Sequence, residues 1–247
     1  MNEHSPLDDQ QPEPTPPPSE ASLWEDFLDI FYAPSEVFAR RQAGGWWPSL
    51  VVLVVVATLL FAAWQQVLGP VLDAEMQRAM AVNPDLSAEQ AQQMSGLGRV
   101  FGIVGFAIAF PVSIVLIGLL LWALGKLFGS VATVSSLIMV ATYSQVVRLV
   151  QYVLGIVQGA VLDVTRMDSV QDVSLGLARF LDPEAVGAAA FALAGRVEVF
   201  TIWATVLLAI GLHVVGRVPK GSAYLAAFLV WAIAALPQVI GPLLSGT

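Results

Sequence analysis

The sequence predicts an all-α protein: a polytopic integral membrane helical bundle of five transmembrane helices, preceded by an N-terminal interfacial amphipathic helix. Three observations carry that prediction. Hydrophobic residues make up 57% of the 247 and charged residues only 12%, where soluble domains hold roughly a quarter charged residues. The mean hydropathy is +0.74. The apolar residues are also gathered into runs of about 20, the length a helix needs to cross a bilayer. A soluble protein burying five such helices would have too little polar surface left for its shell.

The spans fall at about 46–68, 100–124, 135–162, 197–216 and 222–244, within a membrane domain of residues 46–246. The first, "WWPSLVVLVVVATLLFAAWQQVL", is uncharged, opens on two tryptophans and a proline at an interface, and stops before Gly69-Pro70. The second contains Pro111, which a lipid-embedded helix tolerates when neighbours satisfy the freed carbonyl. Arg148 lies inside the third, and Pro237 and Pro242 interrupt the fifth. The apolar run begins too late for a cleaved secretory signal, so the first span is expected to be retained.

Lysine and arginine beside the spans set the expected orientation. Arg40, Arg41, Lys126, Arg217 and Lys220 fall on one side in short segments. Arg78, Arg99, Arg166, Arg179 and Arg196 fall on the other, spread over two long acidic loops. The expectation is a multi-pass protein of the cell membrane with a cytoplasmic N-terminus and an exterior C-terminus.

Residues 1–21 read as a disordered, acidic, proline-rich tail with too little apolar surface to order itself. Residues 22–43 read as interfacial amphipathic helices. Leu23, Trp24, Phe27, Leu28 and Phe31 share one helical face, with Glu25, Asp26 and Asp29 on the other. Pro34 breaks that helix, Ser35 is the expected N-cap of the next, and Arg40 and Arg41 at its end would meet lipid headgroups. Ser87 three residues before Gln90 has capping-box spacing and would start a polar helix running into the second span.

The stretch "FYAPSEVFARRQAGGWWPSLVV", with its Pro-x-x-x-Phe helix ahead of the first span, resembles the bacterial branch of the Yip (Ypt/Rab-interacting protein) domain family. The resemblance continues in residues 197–233, where Phe200, Trp203, Gly211, Lys220 and Ala223 stand in the family's order, and in "ATYSQVV" of the third span. It implies five spans in a bacterial inner membrane and no known chemistry. Many members carry a proline just beyond that tyrosine; Val146 and Val147 stand there instead, so the sequence offers no residue to break the third helix. The glycine of the family's GTPase-engaging element is replaced by Ala33 in "LDIFYAP", and GTPase binding is not carried over.

At about 100° per residue, Ser144, Gln145, Arg148, Gln151, Tyr152, Gly155, Gln158 and Gly159 fall on one arc of the third span, and valines, leucines and Ile156 cover the rest. A charge at mid-bilayer costs roughly 2.5–3.5 kcal/mol on insertion scales, so this face is expected to turn inward. Tyr143, Ser144, Gln145, Arg148, Gln151, Tyr152 and Glu198 form the candidate intramembrane polar or lipid-binding face. Three readings of it stay open. Its polar groups could glue the bundle together. They could bind an anionic or amphipathic guest such as a lipid headgroup. A small permease would use the face as a transport path and would want an intramembrane acid, for which Glu198 is the nearest candidate.

No catalytic, cofactor or metal site is expected. The chain has no cysteine, His213 has no acid beside it, and no Gly-x-Ser-x-Gly or phosphate loop occurs. A net charge of −8 leaves no basic patch for nucleic acid. The expected partners are membrane lipids and other membrane proteins. Gly98-x-x-x-Gly102, Gly155-x-x-x-Gly159 and "VGAAAFALAG" let helices approach closely and leave a homo-oligomer open.

Overall fold

The computed structural model describes residues 22–81, 88–163, 167 and 169–245. The proline-rich tail and Ser87 lie outside the described residues. Helices follow as α1 (Leu23–Asp29), α2 (Pro34–Arg41), α3 (Trp47–Val67), α4 (Gly69–Ala81), α5 (Ala88–Leu127), α6 (Val134–Ser144), α7 (Val147–Val161), α8 (Pro183–Val186), α9 (Ala188–Arg196), α10 (Val199–Gly216) and α11 (Lys220–Ser245). Among the described residues between α7 and α8 are the short 3₁₀ helices Val170–Val173 and Leu177–Phe180. Among the described residues five segments are long and apolar enough to cross a membrane: Trp47–Val67, Gly98–Leu127, Val134–Val161, Val199–Gly216 and Lys220–Gln238.

The first half of the third span is the axis of the bundle. Every residue of α6 from Ser136 to Ser144 is buried, enclosed chiefly by α5 and α10, with α3 and α2 beside them. Small residues make that enclosure close. The backbone of Ile138 passes over Gly118 of α5, and the branched side chain of Val140 fits against Gly211 of α10. Gly155 and Gly159 of α7 receive Trp64 and Val67 of α3 and Leu68 just beyond it, so this glycine pair packs helices within the chain.

The third span is not one helix, contrary to expectation. Between α6 and α7 the backbone tightens into 3₁₀ bonding, with Val146 N–H donating to Tyr143 O, Arg148 N–H to Gln145 O and Leu149 N–H to Val146 O. No proline is required. Thr142 and Ser144 hydroxyls donate to the carbonyls four residues back, Ile138 O and Val140 O, both at 2.8 Å. Such back-bonding satisfies buried hydroxyls and bends a helix at that point. The continuous-helix arc therefore holds only from Gln145 onward, and Val146 and Val147 are buried rather than facing outward.

The N-terminal helices also differ from expectation. Ser22 caps α1 in a capping box with Glu25, whereas α2 starts on Pro34 after Ala33, not behind a Ser35 cap. Trp24 and Leu28 are 61% and 63% exposed, while Asp26, Phe27 and Ile30 are buried. The face that docks thus carries an acid. Its charge is met by Arg40 Nε at 2.7 Å and Arg41 Nε at 2.5 Å, so these arginines close an intramolecular cluster. Arg40 also pairs with Asp29. Phe38 joins the buried core, and α2 packs on α10.

Candidate functional site

Arg148 is the fifteenth of the 28 residues of the third span, at mid-depth, and begins the helical turn that follows the 3₁₀ break. That break aims its side chain toward α10. The guanidinium donates to Gln145 Oε1 at 3.3 Å, Gln151 Oε1 at 2.9 Å and Thr201 Oγ1 at 3.3 Å. All three partners are neutral. Thr201 in turn donates its hydroxyl to Glu198 Oε2 at 3.2 Å, and its N–H to the same oxygen at 3.1 Å. Glu198 is the N-cap of α10 and is only 4% exposed. A carboxylate there is favoured by the unpaired N–H groups and dipole of the helix start. The hydroxyl of one threonine therefore joins the intramembrane cation to a buried acid.

The segment before α10 folds back into the bundle. Helix α9 packs along α11, and Arg196 O accepts from Nε1 of Trp231, the twelfth residue of α11. Arg196, expected among the cations of an outer loop, consequently stands next to the Arg148 cluster. A cavity of about 560 Å³ between α5, α10 and α11 is bordered by both arginines and by apolar walls that include Phe110, Leu120 and Leu208. A second space of about 380 Å³ contains Arg148, Arg196, Glu198, Gln151 and Ser174. The Tyr152 ring also borders the larger cavity, held edge-on by Phe61 and Phe106 at 5.9 and 5.8 Å between centroids.

Of the expected face, Gln145, Arg148, Gln151, Tyr152 and Glu198 come together around these cavities. Tyr143 and Ser144 do not. Ser144 is spent on the backbone of its own helix, and Tyr143 points to the other end, donating to Asp26 Oδ2 at 3.2 Å with Ser49 Oγ 2.9 Å from its hydroxyl. Thr201 lies outside the expected face, and Arg196 is expected only as an outer-side cation with which Glu198 could pair. The spacing Glu198-x-x-Thr201 at a helix start is the signal that could have found the first. His213 donates from Nδ1 to Val218 O at 2.7 Å, since a carbonyl only accepts; it closes the turn in which Arg217 takes a left-handed backbone (φ 55°).

The sequence model of the Yip1 domain matches residues 28–241, nearly the whole bundle. The chain belongs to the Yip1 domain family. The match runs from inside α1 to within α11, and so takes in every element of the Arg148 cluster. Among proteins similar to this Yip1-family chain is "Membrane protein YknW" of Bacillus subtilis (strain 168), 28% identical over 205 residues, covering 83% of this chain and 84% of that protein. No solved structure matches. Several residues that carry the family resemblance pack into the bundle. Phe38 and Ala223 are fully buried, Gly211 receives Val140, and Trp203 meets Phe31 edge-on at 5.2 Å.

Proposed function

We propose that this Yip1-family membrane protein acts without chemistry, organising membrane lipid through the Arg148 face, with its N-terminus in the cytoplasm and its C-terminus outside. One observation supports this reading above the rest. Among the described residues Arg148 has hydrogen-bond partners that are all neutral, and it borders a cavity lined in part by Leu116, an apolar residue of the second span that is 59% exposed. A guanidinium serving only as glue would be enclosed by acceptors. Here it keeps a flank toward a space that an amphiphile fills, and guanidinium forks suit phosphate oxygens.

A permease is the second reading, favoured by the Thr201 link, which supplies the intramembrane acid that a proton or solute path wants. Liposomes holding the pure protein separate the two. Lipid organisation predicts no proton or solute flux that changes with Arg148→Leu, together with loss of co-purifying phospholipid in that variant. Flux abolished by Arg148→Leu overturns it in favour of transport.

A further inference from the structure

The two cavities at Arg148 abut, and they differ in chemistry. Arg148, Arg196, Thr201 and Gln238 border both. The larger continues along apolar side chains of α5 and α11, whereas the smaller is walled largely by polar groups of α7, the segment before α8, the end of α9 and the start of α10. An amphiphile has this division, with a head that hydrogen-bonds and a chain that does not.

Three residues that line the smaller space also carry unmet polar atoms. Arg196 Nε, Glu198 Oε1 and Ser174 Oγ are buried with no hydrogen-bond partner. One is a cationic donor, one an anionic acceptor, and the hydroxyl can do either. A buried polar atom left unpaired has lost water without gaining a partner, and the loss is greater when it is charged, so a guest that meets these groups is favoured over none. Two guanidiniums against one carboxylate call for an anion. The carboxylate oxygen, though, repels a plain anion and calls for an N–H donor beside it.

We infer that the joined cavities hold a phospholipid with an aminophosphate headgroup, its phosphate between Arg148 and Arg196, its primary ammonium on Glu198 Oε1, and an acyl chain in the groove between α5 and α11. This rests on the reading that the Arg148 face binds lipid, and it names which lipid. A glycerol headgroup lacks the cation for Glu198. A choline headgroup has the charge but no N–H to donate.

The test is native mass spectrometry of the full chain, purified in detergent and offered equal amounts of phosphatidylethanolamine, phosphatidylglycerol and phosphatidylcholine. Thermal unfolding of each variant verifies that it is folded. The wild type should retain phosphatidylethanolamine over the others by about tenfold, in keeping with charge-assisted hydrogen bonds at both ends of the headgroup. Glu198→Gln, whose amide oxygen still caps α10, should bring phosphatidylethanolamine down to the level of phosphatidylglycerol. Arg196→Gln should weaken both, and Ala234→Phe, which fills the apolar cavity, should weaken all three. An excess of inorganic phosphate should displace little, because it has no chain. Equal retention of the three lipids, still lost in Arg196→Gln, overturns the aminophosphate assignment and leaves the lipid reading standing. Displacement by phosphate alone, or folded Arg148→Gln and Arg196→Gln variants that retain lipid like the wild type, overturns both.

Discussion

Tyr143 donates its hydroxyl to Asp26 at 3.2 Å across 117 residues of sequence, tying the N-terminal helix to the centre of the bundle. The same carboxylate accepts from Arg40 and Arg41, and Ser49 of the first span completes the cluster through the tyrosine hydroxyl. Helices α1 and α2 are therefore held by a polar latch as well as by the burial of Phe27, Ile30, Val37 and Phe38.

Asp26→Ala should destabilise the protein by about 3 kcal/mol, the low end for breaking a buried ion pair, because both arginines keep some contact with solvent. Tyr143→Phe removes one hydrogen bond and should cost about 1 kcal/mol. Thermal unfolding in detergent reads both. Hydrogen exchange in residues 22–43 should speed up in Asp26→Ala well before the spans respond. Unchanged exchange there would mean that apolar docking alone holds the helix pair.

The latch should respond to acid through Asp29. The hydrogen bond from Arg40 chiefly, with that from Tyr32 adding, holds the Asp29 carboxyl below its ordinary 3.8. A folded value below the unfolded one contributes stability that is present above about 3.8 and is lost as pH falls through the folded value. Exchange protection of α1 and α2 in the wild type should exceed that in Asp29→Asn at neutral pH, and the difference should vanish only below about pH 4. Tyr32, raised above 10.0 by donating to Asp29, gives the opposite limit: its contribution is full below 10.0 and is lost as pH rises through the folded value. A difference that disappears near neutral pH would rule out this carboxyl as its source.

Gly211→Ala should destabilise the bundle by about 1–3 kcal/mol through overpacking. The added Cβ would overlap one methyl of Val140 and stand 2.8 Å from the other, and a valine in a helix strongly prefers one rotamer, so moving away is costly. Val140→Ala in the same chain should recover much of the loss, giving a double-mutant coupling of about 1 kcal/mol. Additive unfolding free energies would show that α6 and α10 do not meet there.

Orientation is open to direct labelling because the chain has no cysteine of its own. Gly221→Cys, where a side chain meets nothing within 4 Å, should react with a membrane-impermeant thiol reagent only after the cells are opened. Phe180→Cys, on an exposed residue of the long loop, should react in intact cells. The reverse pattern would invert the topology.

The positions of the spans were legible from uncharged runs, since length and hydropathy suffice when hydrocarbon is the solvent. The inward turn of Gln145, Arg148 and Gln151 was legible too, because a charge in lipid has one tolerable direction. The docking face of α1 is not legible in the same way. Hydrophobic periodicity assigns an acid to the outside, whereas Asp26 goes inside once Arg40 and Arg41 arrive from the next helix. No proline marks the bend at Gln145 in the sequence, and Thr142 and Ser144 carry only a weaker signal of it.

The sequence by itself determined that this chain is a five-span helical membrane protein and that Arg148 must face its neighbours, because these follow from local composition and the cost of charge in hydrocarbon. Only the tertiary structure decided which neighbours those are. Arg196 and Glu198 reach the cluster because α9 packs back along α11, and Tyr143 leaves it for Asp26 because α1 and α2 dock on α6 and α10. Such pairings depend on helix packing between residues far apart in the chain, which no local period encodes.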